Sequence, residues 1–400
     1  MGNLRYRNAR DVADRLGQVF TPQPIASLLA ESIPANCLPI RRVLDLGAGK
    51  GALTAALLAR HKHAKATLVE IDSSYVSILR TLAPKRATVT HADVLDQGWA
   101  CAQGPDVVVS NPPYGTIAIT REAKDMLDLS GLRIPISGNW VRGDAAFVAR
   151  AWRIAALGSG LGLIVASPIV RDRAYMPLRE RLIGELRGLC VTQLHEGTFR
   201  NAEVRAFLIT GQRAANRCRN VHLRKAMTNG NITDEMTVSY RAAVVSLDID
   251  YHRSLEHLGL TATDRTETLG SVGTVIVRGS RSQRDYERLG LSAFHTTDFS
   301  EAADEVILSG ASDGFHAAKP GDILIPRVGS RCLVKQTRVR DGSGLFTDCV
   351  YRLVVGLRAR PRVWKTLSSS FGADWRLANA GGSCAKHLTI QTLLTMPLLA

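Results

Sequence analysis

Val43-Leu44-Asp45-Leu46-Gly47-Ala48-Gly49-Lys50-Gly51 joins a short apolar strand to an alanine- and leucine-rich stretch, 52–59, that is predicted to be helical. The glycines at positions 47, 49 and 51 permit a tight turn and a close approach of the backbone to a ligand at the start of the helix. The next apolar strand ends in Glu70, about 20 residues further on, where a carboxylate suits hydrogen bonding to a ribose diol. Because NAD sites have a similar pattern, the turn alone predicts a nucleotide-containing cofactor without deciding which one.

Strands and helices alternate around this turn over residues 41–211. Strand patterns occur at 66–69, 87–91, 106–109, 161–165, 191–194 and 204–210, and helical patterns at 75–82, 144–157 and 176–186. This alternation predicts a parallel sheet covered on both faces, so the expected fold class is α/β, with a doubly wound, Rossmann-like domain over residues 1–225. Residues 226–269 are interpreted as a connecting region. Residues 270–400, with short β-type runs and many glycines, are expected to form a second domain that is α/β or mainly β.

The tetrapeptide Asn111-Pro112-Pro113-Tyr114 follows the apolar run 107–109 and Ser110. An amino group conjugated to a ring is a poor nucleophile, and two acceptors aimed at its N–H bonds pull the nitrogen toward tetrahedral geometry. The Asn111 side-chain oxygen and the Pro112 carbonyl are the candidate acceptors, and consecutive prolines hold that carbonyl rigidly. Tyr114 offers a flat surface on which a base can stack, worth roughly 1–3 kcal/mol. The tetrapeptide indicates group transfer to an exocyclic or amide-type nitrogen, although Asn-Pro and Pro-Pro also mark ordinary turns.

Together these motifs resemble the adenine N6-methyltransferases that use S-adenosylmethionine (SAM), since NAD enzymes have no use for the tetrapeptide. The segment Gly17-Gln18-Val19-Phe20-Thr21-Pro22 is similar to the N-terminal cofactor motif of gamma-class N6-adenine DNA methyltransferases of type II restriction-modification systems, in which a target recognition domain follows the catalytic domain. The resemblance implies SAM-dependent methylation of adenine N6 in a specific duplex site after base flipping. It implies catalytic roles for Asn111, Pro112, Pro113 and Tyr114, SAM binding by Thr21, Asp45, Gly47, Gly49, Glu70, Ile71, Asp93, Val94, Asn111 and Phe147, and stacking on the adenine by Tyr114 and Phe199.

Three other classes of protein share part of this pattern. Gamma-class glycine motifs often have proline after the acidic residue, where this chain has Leu46, and residues 45–58 and 70–72 also resemble the ribosomal RNA adenine dimethyltransferases. Those enzymes usually carry leucine or isoleucine between the asparagine and the proline, and they end in a small helical domain. Glutamine-N5 protein methyltransferases share the tetrapeptide but have a different N-terminal domain. A specificity-type DNA-binding protein with a decayed catalytic half is the non-enzymatic alternative, and the intact tetrapeptide and Glu70 argue against it.

The C-terminal half carries the candidate recognition residues. The stretch from Lys319 to Gly329 resembles the recognition domains of type I restriction specificity subunits and of gamma-class enzymes. The spacing of four upstream arginines, Arg278, Arg281, Arg284 and Arg288, predicts one side of a helix. The residues expected to contact DNA are Arg278, Arg281, Lys319, Arg327 and Arg331.

Composition agrees with a polyanionic partner, here double-stranded DNA. The formal charge is +15 and the sequence pI is about 9.9. The seven cysteines form no C-x-x-C pair, so no metal site is expected, and with no signal peptide they point to the cytoplasm. No apolar run reaches about 18 residues, so no membrane span is expected. A monomer is expected, paired with a separate cognate restriction endonuclease or acting as an orphan, because the chain leaves no room for a nuclease domain.

Overall fold

A computed structural model describes residues 19–37, 39–82, 85–96, 98–99, 104–199, 205–215, 219–256, 267–299, 304–310, 317–329, 333–380 and 386–399. Gly17 and Gln18 of the N-terminal motif and the candidate DNA contact Arg331 lie outside these residues. The chain divides into two compact units, Met1–Ile249 and Asp250–Ala400. No helix in the described part of the chain is both long enough and apolar enough to cross a membrane.

The first unit is built from strands and helices in regular alternation. Its elements are α1 (Gln23–Ser32), β1 (Arg42–Leu46), α2 (Ala52–Arg60), β2 (Lys65–Glu70), α3 (Ser73–Leu82), β3 (Ala87–His91), β4 (Val107–Ser110), β5 (Thr116–Ala118), α4 (Arg121–Leu129), β6 (Ile136–Ser137), β7 (Trp140–Arg142), α5 (Gly143–Ile154), β8 (Gly160–Ala166), α6 (Ser167–Arg171), α7 (Met176–Glu185), β9 (Leu186–Leu194), β10 (Ala206–Arg213), β11 (Asn220–Ala226), β12 (Ile232–Ser239) and α8 (Tyr240–Val245).

Nine of these strands form one sheet in the order β12-β11-β9-β10-β8-β4-β1-β2-β3. The chain leaves β1 toward β2 and β3 and then returns to β4 on the other side of β1, so the strand order reverses between β1 and β4. In doubly wound sheets, ligands bind outside the carboxyl ends of the strands at this point. The predicted fold class is confirmed, but the sheet is mixed, because β10 runs antiparallel to β8 and β9, and β12 runs antiparallel to β11.

Helix α1 is held close to the sheet by two glycines of β8. A side chain at Gly162 would meet Leu29 of α1 at 2.9 Å, and one at Gly160 would meet Ile33, directly after α1, at 3.4 Å. The buried face of α1, including Ile25 and Leu29, therefore packs into the main apolar core. This packing fixes the start of α1, and with it the segment just before the helix that reaches the site described below.

The structure differs from prediction over the expected connecting region, 226–269. Residues up to Ile249 belong to the first unit, where Ile232–Ser239 pairs with β11 as the edge strand of the large sheet. Most side chains of this strand face solvent, so its sequence lacks the apolar alternation of a half-buried strand. The buried Arg179 then anchors the following helix by donating to the Val244 and Val245 carbonyls, both at 3.0 Å.

The second unit is mixed α/β. Its elements are α9 (Ile249–Glu256, which spans the boundary), β13 (Val275–Arg278), α10 (Gln283–Arg288), β14 (Ala293–Phe294), β15 (Glu305–Leu308), β16 (Ile323–Pro326), β17 (Thr337–Gly342), β18 (Leu345–Phe346), β19 (Val350–Val354), α11 (Arg360–Ser368), α12 (Ser370–Asn379) and α13 (Ile390–Leu394). A five-stranded sheet has the order β13-β19-β16-β17-β15, and β14 pairs with β18. One apolar core packs the C-terminal helices, with the buried Trp375, against this sheet, and a second surrounds Phe294, Phe299 and Phe346.

Candidate active site

The glycine turn lies at the carboxyl end of β1. Gly47, Gly49 and Gly51 have φ values of 71°, 52° and 76°, a left-handed backbone that side chains rarely adopt. A side chain at Gly47 would also meet the Phe147 ring at 3.1 Å, and one at Gly51 would meet Leu79 at 2.9 Å. The glycines are therefore required by the backbone and by the close packing around it.

The Glu70 carboxylate ties this turn to the end of β2. It accepts hydrogen bonds from the backbone N–H groups of Gly49 at 2.7 Å, Ile71 at 2.8 Å and Asp72 at 2.9 Å. A carboxylate has about four acceptor sites, so these three donors leave capacity for one ligand hydroxyl. Glu70 is 2% exposed and lines the cavity above the turn, which suits the ribose-binding role predicted for it.

Asp45 is a buried acceptor with one oxygen unused. Its Oδ2 atom accepts from the Thr54 hydroxyl at 2.7 Å, whereas its Oδ1 atom has no hydrogen-bond partner among the described residues. Burial raises the pKa of the Asp45 carboxyl to about 7. Because Asp45 lines the same cavity, a cationic donor such as an ammonium group would satisfy the free oxygen and favour the ionised carboxylate. The site therefore fits the methionine end of SAM.

The amide of Asn111 is held at both ends. Its Nδ2 group donates to the Val19 carbonyl at 2.7 Å and to the Thr21 hydroxyl at 2.9 Å, and its Oδ1 atom accepts from the Tyr114 hydroxyl at 2.7 Å. The Val19 carbonyl can only accept and the Thr21 hydroxyl can accept, so the atom of the amide that faces them must be the nitrogen. The Oδ1 atom is thereby directed away from the segment before α1, with a second lone pair available for a substrate N–H.

The tetrapeptide packs against three residues at the start of α5, namely Arg142, Gly143 and Asp144. Sequence patterns indicated no role for these residues. Arg142 donates to the Tyr114 carbonyl at 2.8 Å and pairs with the fully buried Asp144 at 3.0 Å. A side chain at Gly143 would lie 2.6 Å from the Pro113 carbonyl oxygen, so only glycine lets α5 begin against this turn. The signal was the run Arg-Gly-Asp just before Phe147, whose role only the folded contact reveals.

Tyr114 and Phe199 come together, but as an edge-to-face pair. Their ring centroids lie 6.2 Å apart with the planes at 65°, and both side chains are buried. Burial holds the pKa of the Tyr114 hydroxyl well above its ordinary value. A base sandwiched between two rings needs them nearly parallel, so the predicted stacking requires one of these rings to turn. The stacking role stays a prediction.

One cavity gathers most of the predicted cofactor residues. It is lined by eight of them, Thr21, Asp45, Gly47, Gly49, Glu70, Ile71, Asn111 and Phe147, together with Pro113 of the tetrapeptide. Asp93 and Val94 do not line it: the Asp93 side chain accepts from the Leu95 backbone N–H at 2.9 Å, and its carbonyl accepts from Trp99 Nε1 at 2.9 Å. Pro112, Tyr114 and Phe199 also lie outside its lining.

Phe20 and Lys50 line the cavity without having been predicted. The Phe20 ring lies 5.2 Å from that of Tyr75, and the Lys50 ammonium lies 4.3 Å from the Phe20 centroid. Phe20 is 36% exposed, so it forms part of the rim. Both residues stand within motifs that the sequence identified, and only the folded structure shows that they line the cavity.

In the second unit, two predicted DNA contacts converge on Asp348. The Asp348 carbonyl accepts from Arg278 Nε at 3.1 Å and from Arg327 Nε at 2.8 Å, and its carboxylate pairs with Arg278 at 3.0 Å. The Arg281 carbonyl accepts from the Asp348 backbone N–H at 2.8 Å. Lys319 lies exposed in the turn before β16.

The expected helical face of arginines is wrong. Arg278 ends β13 and Arg281 lies in the following loop, because α10 begins only at Gln283. Arginines spaced three or four apart thus belong to three different kinds of local structure. What brings Arg278 and Arg281 together is the turn around Asp348, which belongs to a distant part of the chain.

Comparison with known proteins agrees with this fold. The methyltransferase small domain family matches residues 22–129, from the start of α1 to the end of α4. The solved type IIG restriction endonuclease BpuSI has a similar fold, with a TM-score of 0.50 and 13% identity over 95% of this chain and 58% of that one. At this identity the likeness concerns the fold.

Two curated proteins match the N-terminal part of the chain. The release factor glutamine methyltransferase of Caulobacter vibrioides is 31% identical over 102 residues, 24% of this chain and 35% of that protein. The ribosomal RNA small subunit methyltransferase A of Salinibacter ruber is 38% identical over 104 residues, 25% of this chain and 33% of that protein. The chain thus spans about a third of the length of these relatives. It carries a methyltransferase domain of the SAM-dependent, Rossmann-like fold, and SAM is its methyl donor.

Proposed function

We propose that this protein transfers a methyl group from SAM to adenine N6 at a specific sequence in duplex DNA, after the base is flipped out of the helix. The observation that carries the proposal is the Asn111 amide. It borders the cavity, and its Nδ2 group is committed to Val19 and Thr21. Its oxygen accepts from the Tyr114 hydroxyl, which leaves a second lone pair for a substrate N–H. An oxygen fixed in this way suits a planar amino group that needs an acceptor.

The proposed methyl transfer needs two hydrogen-bond acceptors for the adenine amino group and a sulfonium that releases the methyl group. Asn111 Oδ1 and the Pro112 carbonyl would each accept a hydrogen bond from one N–H of the adenine amino group. The lone pair of the amino nitrogen would then point toward the methyl group. SAM supplies an electrophilic methyl on a sulfonium. The nitrogen forms the new N–C bond as the S–C bond breaks, and the cationic nitrogen then releases a proton to solvent. Catalysis here is mainly positioning, and Arg142 would contribute by holding the Tyr114 carbonyl.

The cofactor roles are assigned by contact chemistry. Asp45 would receive the ammonium group, Glu70 a ribose hydroxyl, and Thr21 would border the methionine portion. Phe147, whose ring lies against Gly47, would face the adenine of the cofactor. Asp93 and Val94 would close the adenine end after a local adjustment, because they do not line the cavity as it stands.

The second unit is assigned to DNA recognition. Arg278 and Arg327 are oriented by one residue, Asp348, and a fixed guanidinium can recognise guanine or phosphate in two-point fashion. BpuSI, a restriction endonuclease by name, shares the fold across both units, which supports a catalytic and recognition pair. We assign the protein to the modification side of a restriction-modification system, as a cytoplasmic monomer beside a separate endonuclease or as an orphan.

Ribosomal RNA is the second candidate substrate, favoured by the match to the ribosomal RNA methyltransferase of Salinibacter ruber. Tritium transfer from labelled SAM to duplex DNA, naked ribosomal RNA and protein extract separates the possibilities, with the Asn111→Ala variant as the blank. Label in N6-methyladenine of duplex DNA alone is the expected result. Label in RNA with none in DNA would overturn the proposal. Methylation-sensitive sequencing of DNA from an expressing host then gives the target sequence.

A further inference from the structure

The positive charge of this protein is concentrated in the first unit. Residues 1–249 contain 32 basic and 21 acidic side chains, a net charge of +11, whereas residues 250–400 contain 19 and 15, a net charge of +4. Within the first unit, residues 46–69 and 73–92 contain no aspartate or glutamate, yet they include four lysines and three arginines. A merely solvated surface usually mixes both signs of charge, so this segregation calls for another explanation.

The fold brings most of these charges, together with Arg41 and Arg42, to the amino ends of β1, β2 and β3, whereas Lys50 lies at the opposite ends. Arg42 opens β1 and lies opposite Lys65, the first residue of β2. The Lys65 backbone N–H donates to the Arg41 carbonyl at 2.8 Å, and that of Ala66 donates to the Arg86 carbonyl at 2.7 Å. A basic residue therefore stands at the start of β1 and of β2, and just before the start of β3. We call the exposed residues Arg41, Arg60, Lys62, Lys65 and Lys85 the amino-edge strip.

The carboxylates nearby do not neutralise the strip. Asp106 accepts from the backbone N–H groups of Arg41 and Arg42, both at 2.8 Å, and pairs with the Arg42 side chain at 2.7 Å. Arg60 approaches Glu31 at 3.9 Å, with both side chains more than half exposed, a contact of little strength. Lys62, Lys65 and Lys85 make no ion pair within the described part of the chain.

Arg86 fixes the loop that presents Lys62. Its guanidinium donates to the carbonyls of Leu58 and His61, each at 3.2 Å, and of Lys62 at 2.8 Å, at the carbonyl-rich end of α2. The loop is therefore held in place, so its lysine does not have to be ordered by a ligand. Partial burial and the positive charge of Arg60 lower the pKa of His61, which agrees with a positively charged surface around it.

We propose that the amino-edge strip binds the phosphate backbone of a second nucleic-acid segment, separate from the one at the active site. Strand β1 leads from the strip to the glycine turn, and its five residues at about 3.3 Å each place the two edges roughly 15 Å apart, on opposite sides of the sheet. A duplex held at the carboxyl ends of the strands leaves this edge to another segment. The inference rests on the proposed function only for the identity of the first segment.

A nucleic acid fits this surface better than a membrane does. Segments 41–42, 60–65 and 85–86 contain arginine, lysine, histidine and one buried alanine, and no large apolar side chain. Membrane-surface sites ordinarily add aromatic or aliphatic side chains that enter the bilayer. Binding through phosphates alone needs only exposed cations and shows a steep dependence on salt.

The test uses the full-length protein and two random-sequence duplexes with donor and acceptor dyes, each too short and too stiff to bend around the protein from one edge to the other. The variant Lys62→Gln, Lys65→Gln, Lys85→Gln is compared with Arg187→Gln, Arg219→Gln, Arg241→Gln, which removes the same charge from exposed positions beside β9, β11 and β12. Lysine-to-arginine changes at the three strip positions provide a rescue. Energy transfer reports bridging, and titrations between about 50 and 200 mM salt report the number of phosphate contacts.

We expect the strip variant to lose bridging and its salt slope to flatten by about 2 to 3 units, while the control and the arginine rescue behave as wild type. Equal losses in both glutamine variants would reduce the effect to net charge and overturn the proposal, as would bridging that survives in the strip variant. Strip-dependent binding to phosphatidylserine vesicles without strip-dependent bridging would assign the surface to membranes. Neither readout requires methyl transfer, so a protein that bridges DNA but methylates only RNA would leave this inference standing.

Discussion

At the scale of single residues, Asn111 joins the two halves of the proposed chemistry. Its nitrogen end holds Val19 and Thr21, which line the cavity, and its oxygen end accepts from the Tyr114 hydroxyl of the tetrapeptide. The same amide thus couples the position of the cofactor segment to that of the acceptor. In the absence of substrate the Tyr114 hydroxyl occupies one lone pair of this oxygen.

Asn111→Ala is expected to lower methyl transfer by at least about 100-fold, because the acceptor acts most strongly in the transition state. SAM affinity should fall by no more than about 30-fold, since the two lost hydrogen bonds to the 19–21 segment are worth roughly 1 kcal/mol each. Single-turnover kinetics and calorimetry separate the two effects. Asn379→Ala, which removes a helix-end hydrogen bond in the second unit, is the control. Near wild-type turnover in the Asn111 variant would refute its assigned role.

The buried Asp45 makes cofactor binding dependent on pH. The pKa of Asp45 is about 7 in the folded chain, against an ordinary value of 3.8. The stability of the protein without ligand therefore falls as pH rises from about 4 to about 7, and above pH 7 this group causes no further change. A bound ammonium favours the ionised carboxylate. SAM affinity should therefore rise as pH increases through about 7, with net release of a proton.

Asp45→Asn should weaken SAM binding and abolish this part of the pH dependence. Calorimetry in two buffers with different ionisation enthalpies measures the proton release directly. Asp106→Asn, at the opposite edge of the sheet, has a carboxyl whose pKa is lowered by hydrogen bonds from Arg41 and Arg42 despite partial burial, and it should leave the pH profile unchanged. Identical profiles for wild type and Asp45→Asn would remove Asp45 from the cofactor site.

At the scale of elements, the start of α5 packs directly against the turn formed by the tetrapeptide 111–114. Gly143→Ala places a methyl group 2.6 Å from the Pro113 carbonyl oxygen, so the turn must move. We expect a loss of about 1–3 kcal/mol in stability and a larger proportional loss in turnover than in SAM affinity. Gly184→Ala in α7 has open space around it and should be neutral or slightly stabilising. Thermal unfolding and kinetics of both variants check this, and full activity in Gly143→Ala would contradict the supporting role.

The turn between β18 and β19 holds Arg278 and Arg327, the arginines proposed to recognise DNA. Arg327→Ala should lower specific DNA affinity, and if the arginine reads a base it should relax preference at one position by about 1–3 kcal/mol. Binding that weakens equally for all sequences, with a salt slope reduced by about one unit, would instead identify a phosphate contact. Arg284→Ala, exposed on α10, is the comparison. An Arg327 variant with unchanged affinity and preference would exclude this turn from the DNA interface.

At the scale of the whole molecule, charge and specificity are assigned to different units. The first unit holds most of the net charge, whereas the candidate recognition arginines lie in the second. General attraction to phosphate and the reading of sequence would therefore separate on truncation. A cut within residues 226–239 would remove part of the large sheet, and one within 240–245 would remove part of α8.

A fragment of residues 1–249 is expected to bind SAM and to keep salt-sensitive binding to random DNA, because its net charge is +11. It should lose preference for the target sequence and nearly all methylation, because the duplex is no longer held in register. Calorimetry with SAM and DNA titrations across a salt series give the result, with circular dichroism to establish folding. A folded fragment that methylates the same site at the full rate would end this division of labour.

The sequence by itself missed β5, α4, β6, β7 and α6, but it determined the fold class, the strands and helices that carry the large sheet as far as residue 211, and eight residues that line one cavity. It could do so because apolar periodicity is local and because parallel strands place their carboxyl ends at one edge of a sheet. Only the tertiary structure decided the antiparallel strands, the polar edge strand Ile232–Ser239 and the support of Pro113 by Gly143. These features depend on contacts between residues far apart in sequence: Asn111 bonds to Val19 across 92 positions, and Arg278 bonds to Asp348 across 70. Local pattern shows which residues can carry chemistry, whereas packing decides which of them meet.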